Sequence, residues 1–156
     1  MPDIAYLLKV SRPRFWVYLL GPYLVGLVAG AASREDLVNW HFAVFALYFA
    51  LPANLLVYGV NDVCDYETDK LNPKKADYEA LVTPERRTSV LSAIMLLNLP
   101  FAAGLIAVPL AAINVLVIFL LLSVFYSAKP VRAKAVPFLD SAFNILYVMP
   151  GIFAYT

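Results

Sequence analysis

Residues 88–128 read TSVLSAIMLLNLPFAAGLIAVPLAAINVLVIFLLLSVFYSA, and these 41 residues contain no Asp, Glu, Lys or Arg. A helix that crosses a bilayer needs about 20 apolar residues, each rising about 1.5 Å. The stretch is therefore long enough for two spans joined by a tight turn near Pro109. No face of it is polar enough to meet water, which argues against a soluble helical bundle with an apolar core.

Further charge-free stretches lie at 15–33, 37–61 and 141–156. The 156 residues are 62% hydrophobic and 15% charged, which is more apolar than a typical soluble domain. We predict an all-α, polytopic transmembrane bundle that forms one domain over residues 1–156. The five predicted spans are at about 15–33, 40–60, 88–108, 110–127 and 138–156.

The positive charges are distributed asymmetrically between the predicted loops. Of the 12 Lys and Arg residues, 11 lie before the first span, between the second and third, or between the fourth and fifth. Only Arg34 lies on the other side. Because Lys and Arg accumulate in cytoplasmic loops, we expect an integral membrane protein whose N-terminus and active-site loops are cytoplasmic. The expected partners include the lipid bilayer and no nucleic acid.

The loop after the second span carries seven of the 11 acidic residues. It opens with Asn61, Asp62, Asp65 and Asp69, in the pattern N-D-x-x-D-x-x-x-D. On a continuous helix at about 100° per residue, these four side chains fall within about 100° of one another. We therefore predict that the three carboxylates share one face.

Carboxylates grouped in this way near a membrane repel one another unless a cation lies between them. Mg²⁺ is the expected cofactor, because it prefers oxygen ligands and binds one or two carboxylates together with phosphate oxygens. Zn²⁺ would require His or Cys ligands, and Ca²⁺ would require more protein oxygens. The alternative is a solvated acidic helix end. Asn54 and Tyr58 continue the same helical face into the span, which favours a metal-binding site over a solvated helix end.

A basic segment, Tyr126–Lys134, follows the fourth span. Its three cations, together with Tyr126, can bind phosphate oxygens that a metal leaves free. The alternative is an ordinary cytoplasmic loop, in which cations are common. Beyond it, Asp140, Asn144 and Tyr147 fall on one side of a predicted fifth helix, where Asp140 either faces the site or packs against a neighbouring helix.

These residues resemble the UbiA superfamily of intramembrane prenyltransferases. Asn61–Asp69, NDVCDYETD, resembles its first aspartate-rich motif, and Tyr126–Lys134 resembles the basic segment between its fourth and fifth helices. Ser11–Trp16, SRPRFW, is similar to the segment that leads into its first helix. Pro137–Asp140, PFLD, is similar to the carotenoid-prenylating branch, such as the lycopene elongases. The resemblance covers essentially the whole chain.

The resemblance implies about nine helices around a lipid-accessible cavity, with a prenyl diphosphate held at the cytoplasmic end through Mg²⁺. Asp62, Asp65 and Asp69 would be catalytic and would bind the metal. The implied diphosphate-binding residues are Asn61, Tyr126, Lys129, Arg132 and Lys134. The implied substrate-cavity residues are Asn54, Tyr58, Asp140, Asn144 and Tyr147.

The implied reaction is Mg²⁺-assisted ionisation of the prenyl diphosphate. A lipophilic acceptor (a carotenoid, a quinone precursor, a tetrapyrrole or a lipid) then attacks the allylic cation. The aromatic rings of Tyr58 and Tyr147 would attract that cation. The superfamily's second aspartate-rich motif, between its sixth and seventh helices, has no counterpart here. We therefore expect the N-terminal part of a longer enzyme, inactive by itself.

Two other functions fit parts of the pattern. An intramembrane CDP-alcohol phosphotransferase also uses clustered aspartates and Mg²⁺, but its motif has a glycine directly after the second Asp, where this chain has Tyr66. A fragment of a transporter or channel would have ionisable residues near the middle of its spans. Here the ionisable residues lie at one predicted membrane edge.

Overall fold

The computed structural model describes residues 3–77 and 79–156, and every regular element in these ranges is helical. The all-α prediction is therefore confirmed for this part of the chain. Short 3₁₀ turns join several of the α-helices. These helices are α1 (Ile4–Ser11), α2 (Val17–Gly30), α3 (Trp40–Ala50), α4 (Pro52–Cys64), α5 (Tyr66–Asp69), α6 (Pro73–Asp77), α7 (Arg87–Ala102), α8 (Leu110–Phe125), α9 (Leu139–Phe143) and α10 (Met149–Tyr155).

Two helical stretches among the described residues are long and apolar enough to cross a membrane. They are Trp40–Cys64, which comprises α3 and α4 with a mean hydropathy of 1.8, and Pro84–Ala107, with a mean hydropathy of 2.1. Val17–Gly30 and Leu110–Phe125 are apolar but shorter. The predicted fifth span, 138–156, is divided into α9, a 3₁₀ turn and α10, so its residues do not follow one helical phase.

Helix α4 lies at the centre of the fold. It packs against α1, α3, α7 and α8, and its residues from Pro52 to Val60 are all buried. Two polar residues of this helix, Asn54 and Asp62, are also buried. Buried polar groups are costly unless they have partners, so the surroundings of these two residues are informative.

Asn54 bridges the break between α3 and α4. The break is at Leu51, and Pro52 begins α4 because its missing N–H is not needed in the first turn. The Asn54 amide donates to the carbonyl oxygens of Phe49 at 2.7 Å and Ala50 at 3.0 Å. These bonds satisfy carbonyls at the end of α3 that would otherwise lack a partner. The Asn54 NH2 group thus joins two helices, whereas its Oδ1 is buried without a hydrogen-bond partner among the described residues. Its side chain is not among those that line the cavity formed by Phe15, Tyr18, Tyr58 and Tyr147.

Helices α2 and α10 cross at very close range because both carry glycine at the crossing. A methyl group at Gly26 would overlap the carbonyl oxygen of Gly151, and one at Gly30 would lie 3.1 Å from Tyr155 Cα. Small residues allow such close backbone approach in membrane helices. Glycine also costs helix stability, so its presence here is explained by the crossing.

We expect Gly26→Ala to destabilise the protein by about 1–3 kcal/mol, because the added methyl group would overlap backbone atoms of α10, which cannot rotate away as a flexible side chain can. Thermal unfolding in detergent measures the loss. Gly21→Ala is the matched control, since a methyl group there meets only Val17 Cγ2 at 3.7 Å. The control should be neutral or slightly stabilising. Equal losses in both variants would show that the crossing is not the cause.

The segment after α6 folds back onto α1 and α7. Ala80 and Val82 are buried in a cluster with Val10, and the Tyr6 hydroxyl donates to the Leu81 carbonyl oxygen at 3.0 Å. Glu79, directly before this anchored segment, is also buried. The packing therefore holds part of the acidic loop against the end of α4.

Candidate functional site

The aspartate motif is interrupted at its middle residue. Helix α4 ends at Cys64, and Asp65 (φ −109°, ψ 13°) separates it from α5. Because the chain changes direction there, the expected single helical face is not formed. Asp62 and Asp69 contact one group of cations, whereas Asp65 contacts another. The prediction that the three carboxylates share one face is therefore wrong.

The first group, the Asp62 cluster, consists of Arg12, Asp62, Asp69, Lys75 and Glu79. Asp62 Oδ1 accepts from Arg12 Nη2 at 2.7 Å and from Lys75 Nζ at 2.6 Å. Lys75 Nζ also lies 3.0 Å from Asp69 Oδ2 and 3.7 Å from Glu79 Oε2. Arg12 Nη2 is 3.3 Å from Glu79 Oε2. Three carboxylates thus converge on one ammonium group.

The Asp62 cluster is almost closed to solvent. The exposed fractions are 1% for the Asp62 side chain, 3% for Lys75 and 9% for Glu79. Asp62 Oδ2 is buried and has no hydrogen-bond partner within the described residues. An unpaired buried carboxylate oxygen is costly, and it is therefore a position where a ligand would be stabilising.

Arg12 reaches the Asp62 cluster through an unusual backbone conformation. It caps α1 with φ 52° and ψ 72°, the left-handed region that non-glycine residues rarely adopt. Its guanidinium also lies 5.0 Å from the centroid of the Tyr58 ring. The next cation along the chain, Arg14, pairs with Glu79. The N-terminal segment therefore supplies cations to carboxylates that follow the second predicted span.

The second group, the Asp65 cluster, consists of Asn61, Asp65, Ser127, Arg132 and Lys134. Lys134 pairs with Asp65 and donates to Asn61 Oδ1 and Ser127 Oγ, both at 3.1 Å. Ser127 Oγ donates to Asn61 Oδ1 at 2.9 Å. Arg132 Nη2 lies 3.4 Å from Asp65 Oδ1. The structure thus brings the first half of the aspartate motif and the basic segment together.

The remaining residues of the basic segment have different surroundings. Tyr126 donates its hydroxyl proton to Asp140 Oδ1 at 2.8 Å, which ties the start of the segment to α9. Arg132 has φ 46° and ψ 55°, again in the left-handed region. Lys129 is exposed and makes no hydrogen bond or ion pair among the described residues. The structure therefore places Lys134 and Arg132 at the carboxylates, and Lys129 away from them.

An aromatic cavity of about 660 Å³ lies beside the clusters. The Phe15 and Tyr58 rings are 5.8 Å apart, and the Tyr18 and Tyr147 rings are 6.2 Å apart. The lining residues are Phe15, Val17, Tyr18, Pro22, Tyr58, Tyr147 and Val148. Two predicted cavity residues, Tyr58 and Tyr147, are thus brought together. Asn144 is exposed, and its amide donates to the Asp140 carbonyl oxygen at 3.2 Å.

A divalent metal would find oxygen ligands at the Asp62 cluster. Among the residues that the structure describes, no three Asp, Glu, His or Cys side chains form a ready metal-binding group. Asp62 and Asp69 nevertheless share one cation, Lys75, and Asp62 Oδ2 has no partner. Carboxylate oxygens suit Mg²⁺, so the residues fit this ion if the ammonium moves away.

Glu67 and Lys70 form a separate ion pair at the surface. Their mutual hydrogen bond, assisted by charge attraction, raises the pKa of Lys70 and lowers the pKa of Glu67. Both groups are exposed, and exposed pairs contribute little to stability. This pair is therefore separate from the candidate site.

Several residues in or next to the Asp62 cluster were not predicted from the sequence. They are Arg12, Arg14, Lys75 and Glu79. The only sequence signal for Lys75 and Glu79 is the density of mixed charges in the acidic loop, which gives no periodicity from which to infer contacts. Arg12 and Arg14 lie in the segment that resembles the family's entry to its first helix, and nothing in the sequence marks them as partners of the carboxylates.

Comparison with known proteins supports the resemblance. The model of the UbiA prenyltransferase family matches residues 19–156. The chain belongs to this family. The prediction of a UbiA-like chain is therefore confirmed, and the match disfavours the CDP-alcohol phosphotransferase and transporter alternatives. The chain is an integral membrane protein of this family, consistent with its apolar helices.

Curated relatives carry names from carotenoid metabolism. The chain is 46% identical over 154 residues to the lycopene elongase/hydratase of Haloferax volcanii, covering 97% of this chain and 50% of that protein. It is 42% identical to the lycopene elongase/hydratase of Halobacterium salinarum, with 96% and 54% covered. For that of Corynebacterium glutamicum the identity is 32%, with 90% and 48% covered. These relatives thus carry the name of the branch that the resemblance of Pro137–Asp140 indicated.

The chain spans about half the length of these relatives. No solved structure matches the chain.

Proposed function

We propose that this UbiA family chain forms the prenyl diphosphate site of an intramembrane prenyltransferase that prenylates a carotenoid. The carotenoid acceptor is inferred from relatives that are named lycopene elongase/hydratase. The diphosphate site is inferred from the two ion clusters, which lie at the same end of α4 because Asn61 and Asp62 are neighbours in it.

The observation that carries the proposal is the contact between Asp65 and Lys134, residues 69 positions apart. Asn61 and Ser127 complete the same polar group. A diphosphate needs both cations and neutral hydrogen-bond donors around its oxygens. Arg132 and Lys134 can turn from Asp65 to the diphosphate when a metal takes over the charge of the carboxylates.

In this proposal Asp62 and Asp69, joined by Asp65 once its cations turn away, would hold Mg²⁺, and the ion would supply positive charge to the departing diphosphate. Arg132 and Lys134 bind the remaining oxygens, and their charge matters most as the allylic C–O bond breaks and its electron pair leaves with the diphosphate. The π-electrons of a carotenoid double bond then form a new C–C bond to the allylic carbon. The resulting carotenoid cation loses a proton to the departed diphosphate, or it adds water and then loses a proton to the same acceptor.

The aromatic cavity is proposed to hold the prenyl chain next to the clusters. Tyr58 is positioned for this role because its ring lies near both the Arg12 guanidinium and the Phe15 ring. Aromatic faces attract cations and pack against apolar chains. Tyr18 and Tyr147 line the same cavity, and the Tyr18 ring stacks on that of Phe15 at 5.6 Å.

For the membrane arrangement we propose the five predicted spans, with the N-terminus and both clusters at the cytoplasmic face. The outer face of α7 supports contact with lipid, because Met95 and Leu99 are 67% and 66% exposed. Such exposed apolar side chains in a long apolar helix fit a hydrocarbon environment.

Binding of geranylgeranyl diphosphate to the protein in nanodiscs tests the proposal. We expect saturable binding in Mg²⁺ that EDTA abolishes and that the double variant Asp62→Ala/Asp65→Ala loses. Glu67→Ala is the matched control, since Glu67 is an exposed carboxylate in the same motif and pairs only with Lys70 among the residues described. Binding that persists in EDTA, or in the double variant, would contradict a metal–diphosphate site.

A further inference from the structure

Lys75 lies at the point of the Asp62 cluster on which the carboxylates converge. Its ammonium lies within 3.0 Å of both Asp62 and Asp69 and is 3% exposed. Lysine is rarely buried to this extent unless it is paired. Its ammonium is a compact cation, and its flexible four-carbon stem allows it to move.

We propose that Lys75 is a displaceable internal cation that closes the site until a divalent metal replaces it. This inference rests on the proposed function, because it takes Asp62 and Asp69 to be metal ligands. In the metal-free state Lys75 neutralises these carboxylates. When the metal arrives, the ammonium leaves them and becomes exposed.

The charges of the Asp62 cluster favour replacement of the Lys75 ammonium by a metal ion over binding of both at once. Three carboxylates converge on Lys75, and Arg12 contributes a second positive charge at Asp62 and Glu79. A divalent ion next to both cations would be repelled strongly, since like charges at contact distance are poorly screened in a partly buried site. Displacement of the ammonium removes the repulsion from Lys75, which is the cation that contacts both Asp62 and Asp69, whereas Arg12 can remain paired with Glu79.

Binding of Mn²⁺ alone, followed by electron paramagnetic resonance of the free ion, provides the first test. Lys75→Gln removes the charge but keeps a hydrogen-bond donor for the carboxylates. We expect this variant to bind Mn²⁺ at least about tenfold more tightly than the unmodified protein, because the competing cation is gone. Lys74→Gln is the matched control, as Lys74 is exposed and adjacent, and it should bind Mn²⁺ with unchanged affinity.

Chemical labelling of lysines provides a second, independent readout. Acetylation mapped by mass spectrometry should be at least about tenfold slower at buried Lys75 than at exposed Lys74 when no metal is present. Addition of Mn²⁺ should bring the labelling rate of Lys75 close to that of Lys74. This measurement requires no variant, so a folding defect cannot imitate its result.

The outcomes separate this inference from the proposed function. Equal Mn²⁺ affinity in the unmodified protein and Lys75→Gln, or a Lys75 that stays unreactive when Mn²⁺ is bound, would overturn the displacement while leaving the metal site intact. Weaker Mn²⁺ binding in Lys75→Gln would overturn it as well. Absence of Mn²⁺ binding in both proteins would overturn the metal site of the proposed function and this inference with it.

Discussion

Replacement of Lys134 by alanine should weaken binding of geranylgeranyl diphosphate by roughly 30- to 150-fold. The expectation follows from the loss of charge-assisted hydrogen bonds worth about 2–3 kcal/mol. Lys134 is 17% exposed and already contacts Asn61, Asp65 and Ser127, so its ammonium is held where the diphosphate is proposed to bind. Isothermal titration with the Mg²⁺ complex of the diphosphate measures the change.

Lys129→Ala is the matched control for this prediction, since it removes the same charge from the same segment. Lys129 is exposed and away from the carboxylates, and we expect its loss to weaken binding less than about threefold. The sequence analysis assigned both lysines to the diphosphate, so the comparison also tests the structural distinction between them. A loss at Lys129 equal to that at Lys134 would show that general positive charge, and not the Asp65 cluster, determines affinity.

Replacement of Arg12 by methionine should reduce the free energy of unfolding by about 3–5 kcal/mol. This is the cost of removing one partner of a buried ion pair and leaving the other charge buried. Arg12 is 15% exposed and binds both Asp62 and Glu79, and each of these carboxylates is at most 9% exposed. Methionine preserves much of the side-chain volume but removes the positive charge that compensates the two carboxylates. The melting temperature in detergent should fall by roughly 6–20 °C.

Two comparisons separate the charge effect from the loss of packing. Arg34→Met changes an exposed arginine outside both clusters and should leave the melting temperature almost unchanged. Addition of Asp62→Asn to Arg12→Met should recover part of the lost stability, because the buried carboxylate charge is removed as well. If the double variant is no more stable than Arg12→Met, the ion pair is not the source of the stabilisation.

The sequence predicted the features of the fold that depend on composition and spacing. The helical class follows from long charge-free stretches. The aspartate motif and the basic segment, which the sequence places at one membrane edge, meet in the structure through Asp65 and Lys134. The pairing of Tyr58 with Tyr147 at one cavity was also expected. Each of these features depends only on the position of a segment and not on its detailed conformation.

The division of the aspartate motif could not be predicted in this way. Helical phase placed Asp62, Asp65 and Asp69 together, but the helix ends at Cys64, and no proline or glycine signals this end. Lys75 reaches Asp62 because the acidic loop folds back, and that path depends on burial of Ala80 and Val82. Helical phase also places Asn54 on the face of the aspartates, whereas the break at Leu51 gives its amide two carbonyl partners.

Photolabelling with a geranylgeranyl diphosphate analogue that carries a diazirine on its prenyl chain tests most directly that the clusters and the aromatic cavity form one site. We predict that the label attaches to peptides containing Tyr58 or Tyr147, and that EDTA or excess geranylgeranyl diphosphate prevents this labelling. Labelling of these peptides that neither treatment reduces would contradict the account. So would labelling confined to the exposed outer face of α7.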